Sequence, residues 1–218
     1  MTTSDTSLED LRIRLAPLVA DAAVFDGWSA QAVRAAAEQA DVDAEVAVYA
    51  FRDGAMEMVA AWISAIDRAM IQALPAEELA AYPVRERIRR LVQFRLDALA
   101  GREEALSRAL AIMAMPQNAS RALRLGWQSA DAMWRLAGDR ATDYNHYTKR
   151  AILAGVYAAT LAIFADDDSL GKTQTKEFLD RRIEGIIKFE KAKARLVRPA
   201  DERFSMARLL GRLRYPAR

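Results

Sequence analysis

The side chains best suited to chemistry lie in one run of eight residues, DYNHYTKR at positions 143–150. An apolar stretch, residues 151–165, follows it directly, with only Tyr157 and Thr160 as polar positions. A helix that is apolar on all sides is either buried in a core or faces an apolar partner. The polar and aromatic run 143–150 at its N-terminal end, here called the collar, suits a site for a long apolar ligand with a polar head. The central core helix of an all-α domain, with an ordinary capped start, explains the same pattern.

Catalytic and metal chemistry find little support in the residue types. The chain has no cysteine and a single histidine, His146. Disulfides, thiolate metal sites and His-rich metal sites are therefore excluded, and we find no nucleophile motif or phosphate loop. The carboxylate clusters Glu103–Glu104 and Asp166–Asp168 lack the Glu-x-x-His spacing of a di-iron bundle. The sequence predicts a binding protein that uses no cofactor, not an enzyme.

Composition and length are those of an ordinary globular domain. Of the 218 residues, 52% are hydrophobic and 28% are charged. Residues 1–10 are polar and acidic, which predicts neither a secretion signal nor a transit peptide. The apolar run 151–165 is shorter than the roughly 18–20 residues that span a bilayer, so we expect no integral membrane protein. With no cysteine, the chain suits the reducing cytoplasm.

Charge is distributed unequally along the chain. Residues 1–82 carry a net charge of −9, and residues 83–218 carry +11. Such an imbalance bears on binding partners. Pro75 and Pro83 mark a connector between the two parts. We therefore predict three units: an acidic helix-turn-helix-like head at 1–78, a helical lipid-binding body at 79–198, and a basic amphipathic helix at 199–218.

Helix-favouring residues and scarce period-two alternation predict an all-α fold of about ten helices. Ser7, Ser29 and Asp43 are typical N-caps for the first three of them. The predicted helices are, in order, 8–23, 30–40, 44–51, 55–74, 84–100, 103–115, 119–137, 144–166, 173–195 and 201–214.

The first three predicted helices resemble the helix-turn-helix head of TetR-type regulators, from the cap at Ser29 through the turn at 41–43 to Phe51. DNA binding requires Lys or Arg at the phosphates and polar side chains at the base edges. The expected recognition helix, residues 43–50, has acidic side chains and no basic one. We therefore predict no nucleic-acid binding. A TetR-like transcriptional regulator that binds DNA and an apolar ligand is the alternative.

A second resemblance covers residues 84–195. It rests on the segment 116–139 with Trp127 and Trp134, on the run 143–150 with the apolar helix behind it, and on FLDRR at 178–182. With these motifs the chain resembles the accessory lipid-binding family of ubiquinone biosynthesis, the ninth named component of the coenzyme Q pathway. His146 departs from the family's pattern, since relatives usually carry Trp there.

That resemblance implies a TetR-like helical bundle that no longer binds DNA and holds an isoprenoid or quinone lipid in its body. It also implies support for a separate di-iron enzyme, the demethoxyubiquinone hydroxylase, and a homodimer formed through the late helices. Met and aromatic side chains fill irregular apolar space, so we expect them in the pocket wall, with plain core packing as the alternative. The predicted lipid-binding residues are Met113, Trp127, Trp134, Leu153, Tyr157 and Leu161.

The collar is where the resemblance places the surface that meets the hydroxylase. An N-cap role for Asp143 is the structural alternative. Salt bridges from Lys149 and Arg150 to Asp139 or Asp143 are another. The predicted partner-binding residues are Asn118, Asp143, His146, Tyr147, Lys149 and Arg150.

The C-terminal segment has the pattern of a membrane-surface helix. Its apolar residues recur with helical spacing among arginines, and residues 181–218 carry a net charge of +8. This predicts peripheral binding to an anionic membrane at the inner face of the cytoplasmic membrane, with packing on the protein itself or on a dimer mate as the alternative. The predicted membrane-binding residues are Phe204, Met206, Arg208, Leu209, Leu210, Arg212 and Leu213.

Overall fold

Ten α-helices joined by short turns make up residues 7–140 and 144–196, which are the parts of the chain that this computed structural model describes. Those two segments contain no β-strand, so the predicted all-α fold is confirmed. The helices are α1 (Leu8–Asp26), α2 (Ala30–Gln39), α3 (Ala44–Ala50), α4 (Ala55–Ala73), α5 (Ala76–Leu79), α6 (Val84–Asp97), α7 (Glu103–Ala114), α8 (Ala119–Leu136), α9 (Tyr144–Asp166) and α10 (Thr173–Leu196). The predicted last helix, 201–214, lies outside the described residues.

Polar caps fix the first turns of the three N-terminal helices. Ser7 and Ser29 each accept a hydrogen bond on Oγ from the backbone N–H three residues later, at 3.2 and 3.3 Å. Asp43 Oδ1 accepts two, from the N–H groups of residues 45 and 46, at 2.9 and 3.0 Å. These bonds satisfy N–H groups that have no acceptor within the helix. The three predicted caps are confirmed.

Two local features differ from the prediction. The connector between Pro75 and Pro83 contains α5, a single turn whose Leu79 is buried. A helix that short shows no apolar period in a sequence. Helix α6 ends at Asp97, three residues early, because the chain then turns through Gly101, whose φ of +79° is the left-handed region that favours glycine.

Helix α4 joins the N-terminal helices to the rest of the bundle. It packs against α1 on one side and against α6, α7 and α8 on the other. Trp28 strengthens this junction, since its Nε1–H donates to the carbonyl of Ala105 (3.0 Å) and its ring lies 5.2 Å from that of Trp62. One continuous core cluster therefore runs from Leu11 to Ile183. The division into head and body at residue 78 remains a prediction.

Helix α9 lies among α6, α7, α8 and α10. Leu153, Thr160 and Phe164 are buried in these contacts. Within residues 7–140 and 144–196, the stretch His146–Asp166 is the one helix long and apolar enough, by length and composition, to cross a membrane. The core helix of a globular protein passes the same test of length and composition, and 28% of the apolar window of α9 is buried.

Asp167 joins the end of α9 to the start of α10. Its Oδ1 accepts from the N–H of Ser169 (2.9 Å), and its Oδ2 accepts from the N–H and the hydroxyl of Thr175 (2.8 and 2.6 Å). Burial raises the pKa of the Asp167 carboxyl, but these hydrogen bonds outweigh burial and hold that pKa well below its usual range.

We expect Asp167→Ala to lower the free energy of unfolding by about 1–2 kcal/mol at neutral pH, because the first turn of α10 loses its acceptor. The ionised carboxylate is favoured in the folded state, so its contribution is present above the pKa of an unfolded aspartate, about 3.9, and is lost as pH falls below it. Thermal unfolding at neutral pH and at about pH 3 measures this. Asp168→Ala, at an exposed neighbour, is the control. A gap between wild type and Asp167→Ala that stays constant with pH would contradict the assignment.

Candidate functional site

A cavity of about 590 Å³ lies among α4, α6, α7, α8 and α9. Its size falls within the roughly 300–1,000 Å³ of small-molecule sites. Large apolar side chains from α4 and α7, among them Trp62, Ile66 and Leu106, form one side. Helix α9 contributes mainly small residues to the wall: Ala151, Ala154, Gly155 and Ala158. Because alanine and glycine fill little volume, α9 leaves space between itself and its neighbours.

The cavity opens between α8 and α9. The lining residue Leu123 of α8 is 77% exposed, and Gly155 and Ala158 of α9 are also exposed. By contrast, the lining residues Trp62 and Arg95 are buried. The closed end of the cavity, here called its floor, therefore lies at α4 and α6. A ligand too long for the cavity has an exit along the groove between α8 and α9.

Four of the six predicted lipid-binding residues line this cavity: Met113, Trp127, Tyr157 and Leu161. The other two, Trp134 and Leu153, are not part of its wall. Leu153 is fully buried in the core. Trp134 is buried where α8 meets the start of α9, and its Nε1–H donates to the carbonyl of Lys149 (3.0 Å). The structure therefore gives these two residues a packing role.

The floor of the cavity carries a buried polar cluster. Arg95, whose side chain is 1% exposed, forms an ion pair with Asp67 through Nη1 and donates from Nη2 to Ser129 Oγ (3.2 Å). Ser129 in turn donates to Asp67 Oδ2 (2.9 Å). The guanidinium carbon lies 4.8 Å from the centre of the Tyr157 ring. Burial alone lowers the pKa of Arg95, but Tyr157 and Asp67 outweigh it and raise that pKa, so Arg95 is charged.

This cluster was missed by the sequence analysis, although a signal for it exists. In α6, Arg95 stands in register with the buried residues Ile88, Leu91 and Val92, at spacings of seven, four and three. In α4, Asp67 lies four residues after Ile63 and three residues before Met70, so it also shares a helix face with core residues. A charged residue at a core position of an amphipathic helix calls for a buried partner of opposite charge.

Three rings form an aromatic cluster beside the opening. The Trp127 ring centre lies 6.0 Å from that of Tyr147 and 6.4 Å from that of His146, and the last two are 5.1 Å apart. Trp127 also lines the cavity, whereas Tyr147 is 62% exposed. The predicted aromatic collar therefore lies next to the opening, and it links the cavity to the outer surface.

Two charged residues of the collar lie inward instead of on the surface. The Arg150 side chain is 1% exposed and pairs with Asp131 (2.5 Å) and Asp139 (3.0 Å). Lys149 pairs with Asp139 as well (2.7 Å). Burial raises the pKa of Asp139, but these two cations outweigh it and hold that pKa below its usual range. Arg150 is thus placed away from the partner surface expected for it, and the alternative salt bridge to Asp139 is confirmed.

Of the remaining predicted residues, Asn118 lies in a turn, and the others lie outside the described residues. Asn118 is half-buried, and its Nδ2 donates to the carbonyl of Ile112 (2.8 Å), which closes the turn between α7 and α8. Asp143 lies outside the described residues. So do all the predicted membrane-binding residues: Phe204, Met206, Arg208, Leu209, Leu210, Arg212 and Leu213.

The carboxylate clusters noted in the sequence take part in helix contacts. Glu103 forms an ion pair with Lys172 (3.1 Å), and Asp167 caps α10. Within the described parts of the chain, no group of three or more His, Cys, Asp or Glu side chains is arranged to hold a metal ion.

We expect Arg150→Ala to lower the free energy of unfolding by about 1.5–3 kcal/mol, since the half-buried Asp131 and Asp139 lose the buried cation that they share and keep only Arg135 and Lys149. The matched control is Arg135→Ala. Arg135 also pairs with Asp131 (2.8 Å), but its side chain is 73% exposed, so we expect a change of about 1 kcal/mol or less. Urea unfolding measures both. Equal effects of the two substitutions would show that Arg150 is not a buried anchor.

Sequence comparison connects the region around the opening with a known family. Residues 119–190, which contain α8 and α9, match the model of the COQ9 family. The chain is 32% identical over 164 residues to the ubiquinone biosynthesis protein COQ9, mitochondrial, of Rattus norvegicus, covering 72% of this chain and 52% of that protein. It is 29% identical over 184 residues to the human protein of the same name, covering 81% and 58%. The chain spans about half the length of the curated relatives it matches.

Structural comparison bears on the fold alone. A TetR transcriptional regulator from Nitrosomonas europaea superposes with a TM-score of 0.64 at 19% sequence identity, covering 82% of this chain and 98% of the regulator. The helical order and the helix-turn-helix-like head are thus those of a TetR-type fold. Together the comparisons identify residues 119–190 as a COQ9-family segment within a chain whose fold is of the TetR type.

Proposed function

We propose that this protein is a non-catalytic, lipid-binding accessory protein of ubiquinone biosynthesis. In this role it takes up a polyprenyl quinone precursor and delivers it to a membrane-associated di-iron hydroxylase that acts on demethoxyubiquinone. The observation that carries the proposal is the apolar cavity that opens between α8 and α9, within the segment that matches the COQ9 family. The names of the relatives supply the pathway.

The shape of the cavity favours a prenyl lipid over a compact ligand. Its walls are apolar on every side except the Arg95 floor, and it opens laterally beside Leu123. Each buried methylene contributes about 0.8 kcal/mol to binding, so a prenyl chain gains affinity along its whole length inside. A longer tail continues outward between α8 and α9.

The surroundings of the opening support the proposed partners. The exposed Tyr147 and its neighbours Trp127 and His146 form an aromatic surface at the point where the lipid leaves. Aromatic residues are enriched at protein interfaces, and this cluster is our proposed contact for the hydroxylase. The net charge of +8 over residues 181–218 supports peripheral attachment to an anionic membrane, at the inner face of the cytoplasmic membrane. A homodimer through the late helices completes the proposal.

The head argues against the alternative function, a DNA-binding regulator. On α3 the exposed side chains are Glu45, Val46 and Tyr49. Glu45 already forms an ion pair with Arg34 (3.1 Å). A helix with an acidic exposed face is repelled by phosphates and offers no cation to replace their counterions. We propose that the head is a structural unit.

We expect Gly126→Phe to block lipid binding. Gly126 lines the cavity, and an added Cβ there meets no atom within 4 Å, so the new ring enters free space. The affinity for a ubiquinone with a short prenyl tail should fall about ten-fold or more, which is the effect of removing one or two kcal/mol of contacts. Quenching of tryptophan fluorescence by the quinone measures it.

The matched control for that experiment is Gly185→Phe. Gly185 is an exposed glycine of α10 at which an added Cβ also meets no atom within 4 Å, but it does not line the cavity. The affinity of the Gly185→Phe protein for the quinone should equal that of the wild type. Cells that carry only the Gly126→Phe protein should accumulate demethoxyubiquinone. If the Gly126→Phe protein binds the quinone as well as the control does, the cavity is not the lipid site.

We expect no sequence-specific DNA binding. A gel-shift titration at low salt against a random-sequence duplex library is the most sensitive check, since low salt strengthens phosphate contacts. A duplex that is retained and survives competition by unrelated DNA would restore the regulator as the function.

A further inference from the structure

A second recess, of about 220 Å³, lies where α1, α4 and α8 meet. Its lining is largely polar, in contrast to that of the apolar cavity, and includes Arg121, Arg124 and Gln128 of α8 and Ser64 of α4. The three residues of α8 share one face of the helix, because they stand at positions i, i+3 and i+7. Arg124 and Gln128 are exposed and Arg121 is half-buried, so a solute can reach their side chains.

The two arginines of this recess have no acceptor in the protein. Within residues 7–140 and 144–196, neither Arg121 nor Arg124 forms an ion pair, a hydrogen bond or a ring contact through its side chain. By contrast, Arg135 on the same helix pairs with an aspartate one turn earlier (2.8 Å), although its side chain is 73% exposed. Ser64 and Gln128 also form no side-chain hydrogen bond in that part of the chain. The recess therefore offers two cations and two neutral donors to an occupant.

The acidic side chains of the recess are already held by another arginine. Arg12 pairs through Nη2 with Glu57 (2.9 Å) and through Nη1 with Glu9 (3.4 Å), and its Nε donates to the carbonyl of Ala50 (2.5 Å). The Glu57 side chain is 6% exposed and also accepts from the N–H of Asp53 (3.1 Å). With three arginines and two glutamates in its lining, the recess keeps one positive charge in excess.

The donors of the recess favour a phosphate group over a carboxylate. A guanidinium donates two parallel N–H bonds to either anion. Here two guanidinium groups are joined by the Ser64 hydroxyl and the Gln128 amide, which belong to different helices. A tetrahedral phosphate has oxygens for donors on several sides, whereas the two oxygens of a carboxylate lie in one plane. Its negative charge also balances the excess positive charge of the lining.

We propose that the recess between α1, α4 and α8 is a binding site for a phosphate group, held by Arg121 and Arg124. A free phosphate and the head group of a phospholipid both supply this chemistry. Leu125 lines both the recess and the apolar cavity, so the two sites are neighbours. The bound group links α8 to α4, since the two arginines belong to α8 and Ser64 belongs to α4. The site does not depend on the lipid-binding function proposed above.

Titration of the full chain with inorganic phosphate tests the site directly. The phosphorus NMR line width of the phosphate, at constant ionic strength in chloride, measures binding. The competitor is malonate, a dicarboxylate of similar charge. Phosphate should saturate the protein at about one equivalent per chain, and malonate should displace it only at about ten-fold or more higher concentration. A signal that does not saturate overturns the site, and equal potency of malonate overturns the choice of phosphate.

A pair of double variants separates this site from a general attraction of anions. Arg121→Gln/Arg124→Gln removes the two donors, and we expect it to weaken phosphate binding about ten-fold or more. Arg14→Gln/Arg85→Gln removes the same charge at exposed arginines that do not line the recess and have no partner within the described residues. This control should bind phosphate as the wild type does. An equal loss in both variants shows that net charge alone attracts the anion, which overturns the site.

Soluble phosphates of increasing size identify the source of the group. Calorimetry would compare glycerol 3-phosphate with dihexanoyl phosphatidic acid, kept below its micelle concentration. If a lipid head group occupies the site, the acyl chains add apolar contacts beside Leu125. The phosphatidic acid then binds about ten-fold or more tightly than glycerol 3-phosphate, and Arg121→Gln/Arg124→Gln weakens it. Equal affinities that both fall in this variant assign the site to a free phosphate. If neither compound binds more weakly to this variant than to the wild type, the proposal is wrong.

Discussion

Packing against one side of helix α9 shapes the rest of the body. This helix is apolar over most of its length, and α7, α8 and α10 pack against the side that carries Leu153, Thr160 and Phe164. Its other side, with Gly155 and Ala158, is exposed. Its small residues, Ala154 and Gly155 among them, do not fill the space in front of α4 and α7. Unfilled apolar volume destabilises a core. An apolar molecule that binds in this cavity would therefore stabilise the folded state.

Two buried arginines hold the walls of this cavity in position. Arg95 ties α6 to Asp67 of α4 at the floor, and Arg150 ties α9 to Asp131 of α8 near the opening. Buried ion pairs add little net stability compared with well-packed apolar side chains, because both charges lose their water. Their geometry is strict, however, and a helix that slides by one turn loses its partner. In this protein the pairs set the register of the helices that enclose the cavity.

The helices could be predicted from the sequence because caps and prolines mark their ends locally. Ser7, Ser29 and Asp43 act as expected, and α9 begins and ends at the predicted residues. The residues of the site were harder to predict, since the site depends on contacts between helices that are far apart in the sequence. Trp127 and Trp134 are the same residue type on one helix, yet only the former reaches the cavity. Asp67 and Ser129 are 62 residues apart, and no local pattern connects them.

The junction made by α4 connects the N-terminal helices to the cavity. Trp62 and Ile66 of α4 line the cavity, while the same helix rests on α1, and Trp28 of the N-terminal part bonds to the backbone of α7. Removing the first three helices would expose the back of a cavity wall to water. The first three helices therefore support one wall of the cavity through α4 and α7.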